Sequence, residues 1–76
     1  MSVTTRTFIP VPGETTLYHP SLYAVRLLRV SKDGVVYNAT SGSPTNIQYL
    51  YSSNFLYFDP DVPFETSTKI QVMFDT

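Results

Sequence analysis

The single histidine of the chain, His19, stands beside Pro20. A nitrogen-ligated metal site or a nucleophile-base pair would have to be built on it, since imidazole is the ordinary ligand and proton acceptor near neutral pH and the chain has no cysteine. No carboxylate lies at a recognised ligand spacing from it, and no Ser or Thr sits in a G-x-S-x-G setting. His19 therefore reads as a turn histidine. Asp59, Asp61 and Glu65 surround a proline-rich stretch and could offer oxygen ligands to calcium, but the stretch lacks the glycine and the further ligands of a calcium loop. A solvated acidic loop is the plainer reading. Two-carboxylate glycosidase chemistry needs a cleft, which so small a domain seldom forms alone. The expectation is a protein that is not an enzyme, with no catalytic residue, no metal site and no cofactor. Asn38-Ala39-Thr40 has the form of a glycosylation acceptor, but without a secretion signal it reads as chance.

The tyrosines are the remaining chemical clue. Six Tyr and five Phe make the chain 14% aromatic, while charged residues also make up only 14%, against about 25% in typical domains. Tyrosine offers wide contact area at low entropy cost and is enriched at interfaces, although it is also an ordinary strand residue. Tyr18 and Tyr23 flank His19-Pro20 in an irregular stretch and are expected to be exposed, with whichever of Tyr49 and Tyr51 lies near its strand end. The net charge is -1, and Arg6, Arg26, Arg29, Lys32 and Lys69 are scattered. That pattern gives no footprint for nucleic acid. No apolar run is long enough for a membrane span, and the N-terminal residues lack the apolar core of a signal peptide, so no membrane is expected and a cytoplasm is the default.

The elements that must position these side chains centre on residues 25–38, where two β-prone runs flank Asp33-Gly34. Such a pair marks a two-residue hairpin turn, because both positions need positive φ and the primed turn matches the twist of its strands. The register that follows pairs Lys32 with Val35, Ser31 with Val36, Val30 with Tyr37 and Arg29 with Asn38. Leu28, Val30, Val35 and Tyr37 then share the expected core face. Val25, Leu27 and Val36 lie on the other, which is apolar enough to be partly covered. A helix over residues 22–30, started by Pro20 and Ser21, is the rival reading.

Residues 1–12 read as an extended arm or edge strand, with Pro10 and Pro12 removing ladder donors. A turn at Pro12-Gly13-Glu14 leads to a short strand over residues 15–18. Residues 39–45 form a loop, residues 46–52 a strand with Ile47, Tyr49 and Tyr51 on one face, and Ser53-Asn54 a tight turn. Residues 55–58 read as a strand buried on both faces. Pro60 and Pro63 break the sheet. The last strand, residues 69–75, points Ile70, Val72 and Phe74 inward. The expectation is an all-β fold, a small antiparallel β-sandwich or barrel of five to six short strands, with residues 13–76 as one domain.

A chain of 76 residues buries only about 60% of the surface its unfolded form exposes, and here neither disulfides nor zinc can reinforce it. Stability must come from packing or assembly. The arm residues Phe8, Ile9 and Val11 are too apolar for a free tail, so the arm is expected to reach across to a neighbour. With Tyr18, Tyr23, Tyr49 and Tyr51 they are the candidate assembly contacts. A small carbohydrate- or ligand-binding module is the alternative.

Residues 30–74 resemble a small β-rich module of tailed-bacteriophage virion proteins. Its pattern is a hairpin with a Gly-Val step, a Tyr-containing strand, I-x-F, a proline loop and I-x-V-x-Y. Asp33-Gly34-Val35, Tyr49 with Tyr51, Leu56-Tyr57-Phe58, Pro63 and Ile70-Gln71-Val72-Met73-Phe74 stand at these points. Thr66-Ser67-Thr68 takes the place of a glycine usual before the closing strand. The resemblance implies a virion structural role in a capsid, head decoration, tail or fibre, assembled in a host cytoplasm. Its implied partners are other copies of the chain, a trimer being one closed form, and a larger capsid or tail protein.

Overall fold

The computed structural model describes residues 2–75. Met1 and Thr76, the outer ends of the expected arm and domain, lie outside the described residues. Seven strands form one sheet: β1 (Val3–Phe8), β2 (Thr16–Tyr18), β3 (Arg26–Lys32), β4 (Val35–Ala39), β5 (Gln48–Ser52), β6 (Phe55–Tyr57) and β7 (Ile70–Asp75). Their order across the sheet is β1-β7-β3-β4-β5-β6-β2. The all-β expectation holds. The strand number exceeds the expected five to six, and the sheet is mixed where an antiparallel one was expected, because β4 and β5 run parallel. That pairing joins only Asn38 and Ala39 to Gln48 and Tyr49. Because only the end of β4 meets the start of β5, the eight residues 40–47 connect them without a crossover of the usual dozen or more residues.

The central hairpin has the expected register over three of its four expected pairs, with Val30 opposite Tyr37, Ser31 opposite Val36 and Lys32 opposite Val35, while Arg29 and Asn38 are not paired in the ladder. Asp33 at φ 51° and Gly34 at φ 84° supply the left-handed pair that a primed turn needs. The face assignment changes further back. Arg26 and Leu27 pair with Asp75 and Phe74, but Arg29 pairs with Met73, so Leu28 is the extra residue of a β-bulge. The bulge turns Leu28 out to solvent and sets Leu27 against the core. The other face of the hairpin is only partly covered, Ser31 being buried and Val36 opposite it exposed, and Val35, expected in the core, is exposed at the turn end. Where a helix was the rival reading, a single 3-10 turn spans Pro20–Leu22, and β3 follows.

Val30, Leu56, Ile70, Val72 and Leu22 are fully buried and fill the concave side of the sheet. β7 alternates as expected, Ile70, Val72 and Phe74 inward. Residues 3–8 form an edge strand on the chain's own β7, which corrects the expectation of an arm crossing to a neighbour. Phe8 is consequently in the core. The sheet curls into a half-barrel that brings its two edges together: the Phe8 ring lies 4.9 Å from that of His19, just past β2. Arg6 Nη1 donates to Ser21 Oγ at 2.7 Å across the same seam.

Candidate functional site

The local backbone of β2 sets the geometry of an apolar surface region. Thr16 stands opposite Tyr57, Leu17 opposite Leu56 and Tyr18 opposite Phe55. Phe58 N–H donates to Thr15 C=O, and His19 N–H donates to Asn54 C=O. Hydrogen-bonded pairs alternate along an antiparallel ladder, so residues 15, 17 and 19 bond to β6 while the N–H and C=O of Thr16 and Tyr18 point to the free edge. Leu17 and Leu56 face the core, leaving Tyr18, Phe55 and Tyr57 on the convex side. Tyr18 and Phe55 have ring centroids 5.0 Å apart, as befits a close non-hydrogen-bonded pair, and Phe55 stacks on Tyr57 at 5.9 Å.

Residues 9–14 run alongside this edge. Glu14 N–H closes a turn onto Val11 C=O, and Gly13 and Glu14 exchange backbone bonds with Phe64. Pro10 is buried, while Ile9 at 66% and Val11 at 64% are exposed. A groove of about 400 Å³ lies between this segment and β2, walled by Ile9, Pro10, Val11, Tyr18 and Phe55, with Glu14 as its one ionisable carboxylate. A second, shallower depression of about 260 Å³ continues past Thr16 to Leu50, Tyr57, Pro44 and Pro60. The two make one apolar strip.

No family model, curated protein or solved structure matches the chain.

Of the residues expected at an assembly contact, Ile9, Val11 and Tyr18 come together at the groove. Tyr23 is 66% exposed but sits apart, after the 3-10 turn. Phe8, expected in an arm on a neighbour, and Tyr49, expected as one of two candidates for exposure near a strand end, are both buried in the chain's own core. Tyr51 is partly buried: its hydroxyl donates to Leu22 C=O and accepts from Val25 N–H at 3.2 Å. Burial pushes the Tyr49 phenol above its ordinary value of 10.0, because the charged form loses solvation. Phe55 and Tyr57 were missed. Read from the sequence as buried, they lie half-buried on the convex side of a single sheet, a placement that single-strand patterning does not reveal.

Of the residues weighed for catalysis and metal binding, His19 and Asp59 hold neighbouring backbone groups. His19 caps the 3-10 turn, its Nδ1 accepting from Ser21 N–H at 3.1 Å. The neutral ring then carries its proton on Nε2, facing Arg6 Nη2 at 3.5 Å, so these two donors touch without hydrogen bonding. Asp59 spends Oδ2 on Asn46 N–H and Oδ1 on Asp61 N–H, joining two loops. Among the described residues no three His, Asp or Glu side chains gather at one place. Thr68, standing where the resembled module has glycine nearby, is buried. It closes the turn before β7 by accepting from Glu65 N–H through Oγ1 and donating its own N–H to Glu65 C=O.

Proposed function

We propose that the chain is a structural subunit of a bacteriophage virion, an auxiliary capsid, head-decoration or tail component working through protein–protein contact and not by catalysis. The resemblance of residues 30–74 to the virion module motivates this reading. The observation that carries it is the apolar strip of Ile9, Val11, Tyr18, Phe55 and Tyr57 on the convex side of β2 and β6, with one carboxylate, Glu14, in its lining. Exposed apolar surface of this kind marks contact sites more often than it decorates a free monomer. In this reading the curled sheet serves as a small barrel-like body, and its partners are other copies of the chain and a larger capsid or tail protein. The low charge favours it too, since 14% charged residues leave much of a thin-cored domain to be covered by neighbours. Sedimentation of the purified chain, alone and mixed with virion particles lacking it, tests the proposal. Self-association or capture by the particles supports it, and a monomer that stays free of the particles overturns it.

A further inference from the structure

We infer that the groove along the free edge of β2 takes an extended peptide segment of a partner protein, added to the sheet as an eighth strand. The inference rests on the reading of the chain as a contact module and names the place and chemistry of one contact. Three observations carry it. The N–H and C=O of Thr16 and Tyr18 point away from β6, and among the described residues none of the four has a hydrogen-bond partner. An unpaired strand edge is a template for another strand. The walls facing this edge are apolar, Ile9 and Val11 on one side, Tyr18 and Phe55 on the other, and they leave about 400 Å³ of open space. The chain cannot close the gap itself, because Pro10 has no N–H to donate and residues 9–14 are held off β2 by the bonds of Gly13 and Glu14 to Phe64.

The occupant follows from these walls. It must present backbone groups to Thr16 and Tyr18, two positions apart, which requires an extended stretch of at least about three residues. Its alternate side chains meet Tyr18 and the Ile9-Val11 wall, so they are apolar. Glu14, at the Thr16 end, is the one carboxylate in the lining and favours a single basic residue there.

The test uses the full-length chain, labelled with nitrogen-15, and a capped hexapeptide of alternating threonine and valine with lysine at one end. Amide exchange of Thr16 and Tyr18 should slow by about tenfold or more at saturating peptide. Methylating the peptide nitrogens that face β2 should weaken binding about tenfold. Thr16→Pro should do the same while the far-ultraviolet spectrum stays constant, since an edge proline removes only the outward donor. Glu14→Gln should abolish the preference for the lysine peptide over its glutamine counterpart. Absence of binding at millimolar peptide overturns the inference, as does binding that leaves Thr16 and Tyr18 unprotected or survives nitrogen methylation. Protection of these amides without peptide, rising with protein concentration, would also overturn it and assign the edge to a second copy. The particle experiment above separates the two levels: capture by particles with no peptide binding removes the groove alone, and peptide binding with no capture removes the virion reading alone.

Discussion

Asp33 holds Lys69 by two hydrogen bonds: its backbone N–H donates to Lys69 C=O at 2.9 Å, and its Oδ1 accepts from Lys69 N–H at 2.9 Å. The residue that gives the central hairpin its left-handed turn position therefore also fixes the start of β7, which joins β1 to β3 in the sheet. Local turn chemistry and long-range register meet in one side chain. Lys32, next along, places its ammonium 5.9 Å from the Tyr37 ring and 5.7 Å from that of Phe64, closing this end of the core.

Asp33→Ala should destabilise the fold by about 1–2 kcal/mol, from the lost acceptor and the poorer fit of alanine to positive φ. Asp33→Asn should recover most of this, because the amide oxygen still accepts and asparagine tolerates the left-handed region. Urea denaturation of the two variants measures the difference. Equal losses would mean that the carboxylate charge, not the Lys69 hydrogen bond, matters.

The β-bulge makes opposite demands on adjacent leucines. Leu27→Ala should cost about 2–3 kcal/mol, the cost of emptying a site against the core, and Leu28→Ala less than about 1 kcal/mol. Thermal unfolding midpoints would show this as a difference of roughly 5–15 °C for a domain of this size. A larger loss at Leu28 would place the bulge elsewhere.

These leucines show where the sequence was legible and where it was not. The register of β3 and β4 and the alternation of β7 rest on signals contained within ten residues or so, a two-residue turn and a period of two, and both match the structure. The bulge leaves no such local trace, and without it strict alternation puts Leu28 inward. The parallel meeting of β4 with β5 and the return of β1 onto β7 depend on residues far apart in the chain, which periodicity does not address. For the candidate site, Ile9, Val11 and Tyr18 were readable as apolar residues in irregular or proline-flanked stretches. Phe55 and Tyr57 were hidden because whether a second layer packs on their face of the sheet depends on tertiary structure, not on the pattern of one strand.

Tyr51→Phe should cost about 1–3 kcal/mol, since Leu22 C=O and Val25 N–H would lose the hydroxyl that serves both. Hydrogen exchange should then quicken at Val25 ahead of the strand interiors. An unchanged stability and an unchanged exchange rate would show that this corner finds other partners.

Tyr49 gives stability an alkaline limit. The folded chain holds its phenol proton more tightly than the unfolded chain does, so the contribution is intact below about pH 10 and is lost as pH rises through the raised folded value. Unfolding midpoints of the wild type should fall between about pH 9 and 11 more steeply than those of Tyr49→Phe. Parallel curves would place the alkaline loss in other groups.

The central claim is that the apolar strip beside β2 is a contact surface, and co-sedimentation with virion particles lacking this chain tests it most directly. Val11→Asp and Tyr57→Asp put charges at the two depressions without entering the core. The account predicts that wild-type chain pellets with the particles and that each variant, with an unaltered circular dichroism spectrum, binds at least about tenfold more weakly. Wild-type chain that remains monomeric in the supernatant, or variants that pellet as well as the wild type, would contradict it.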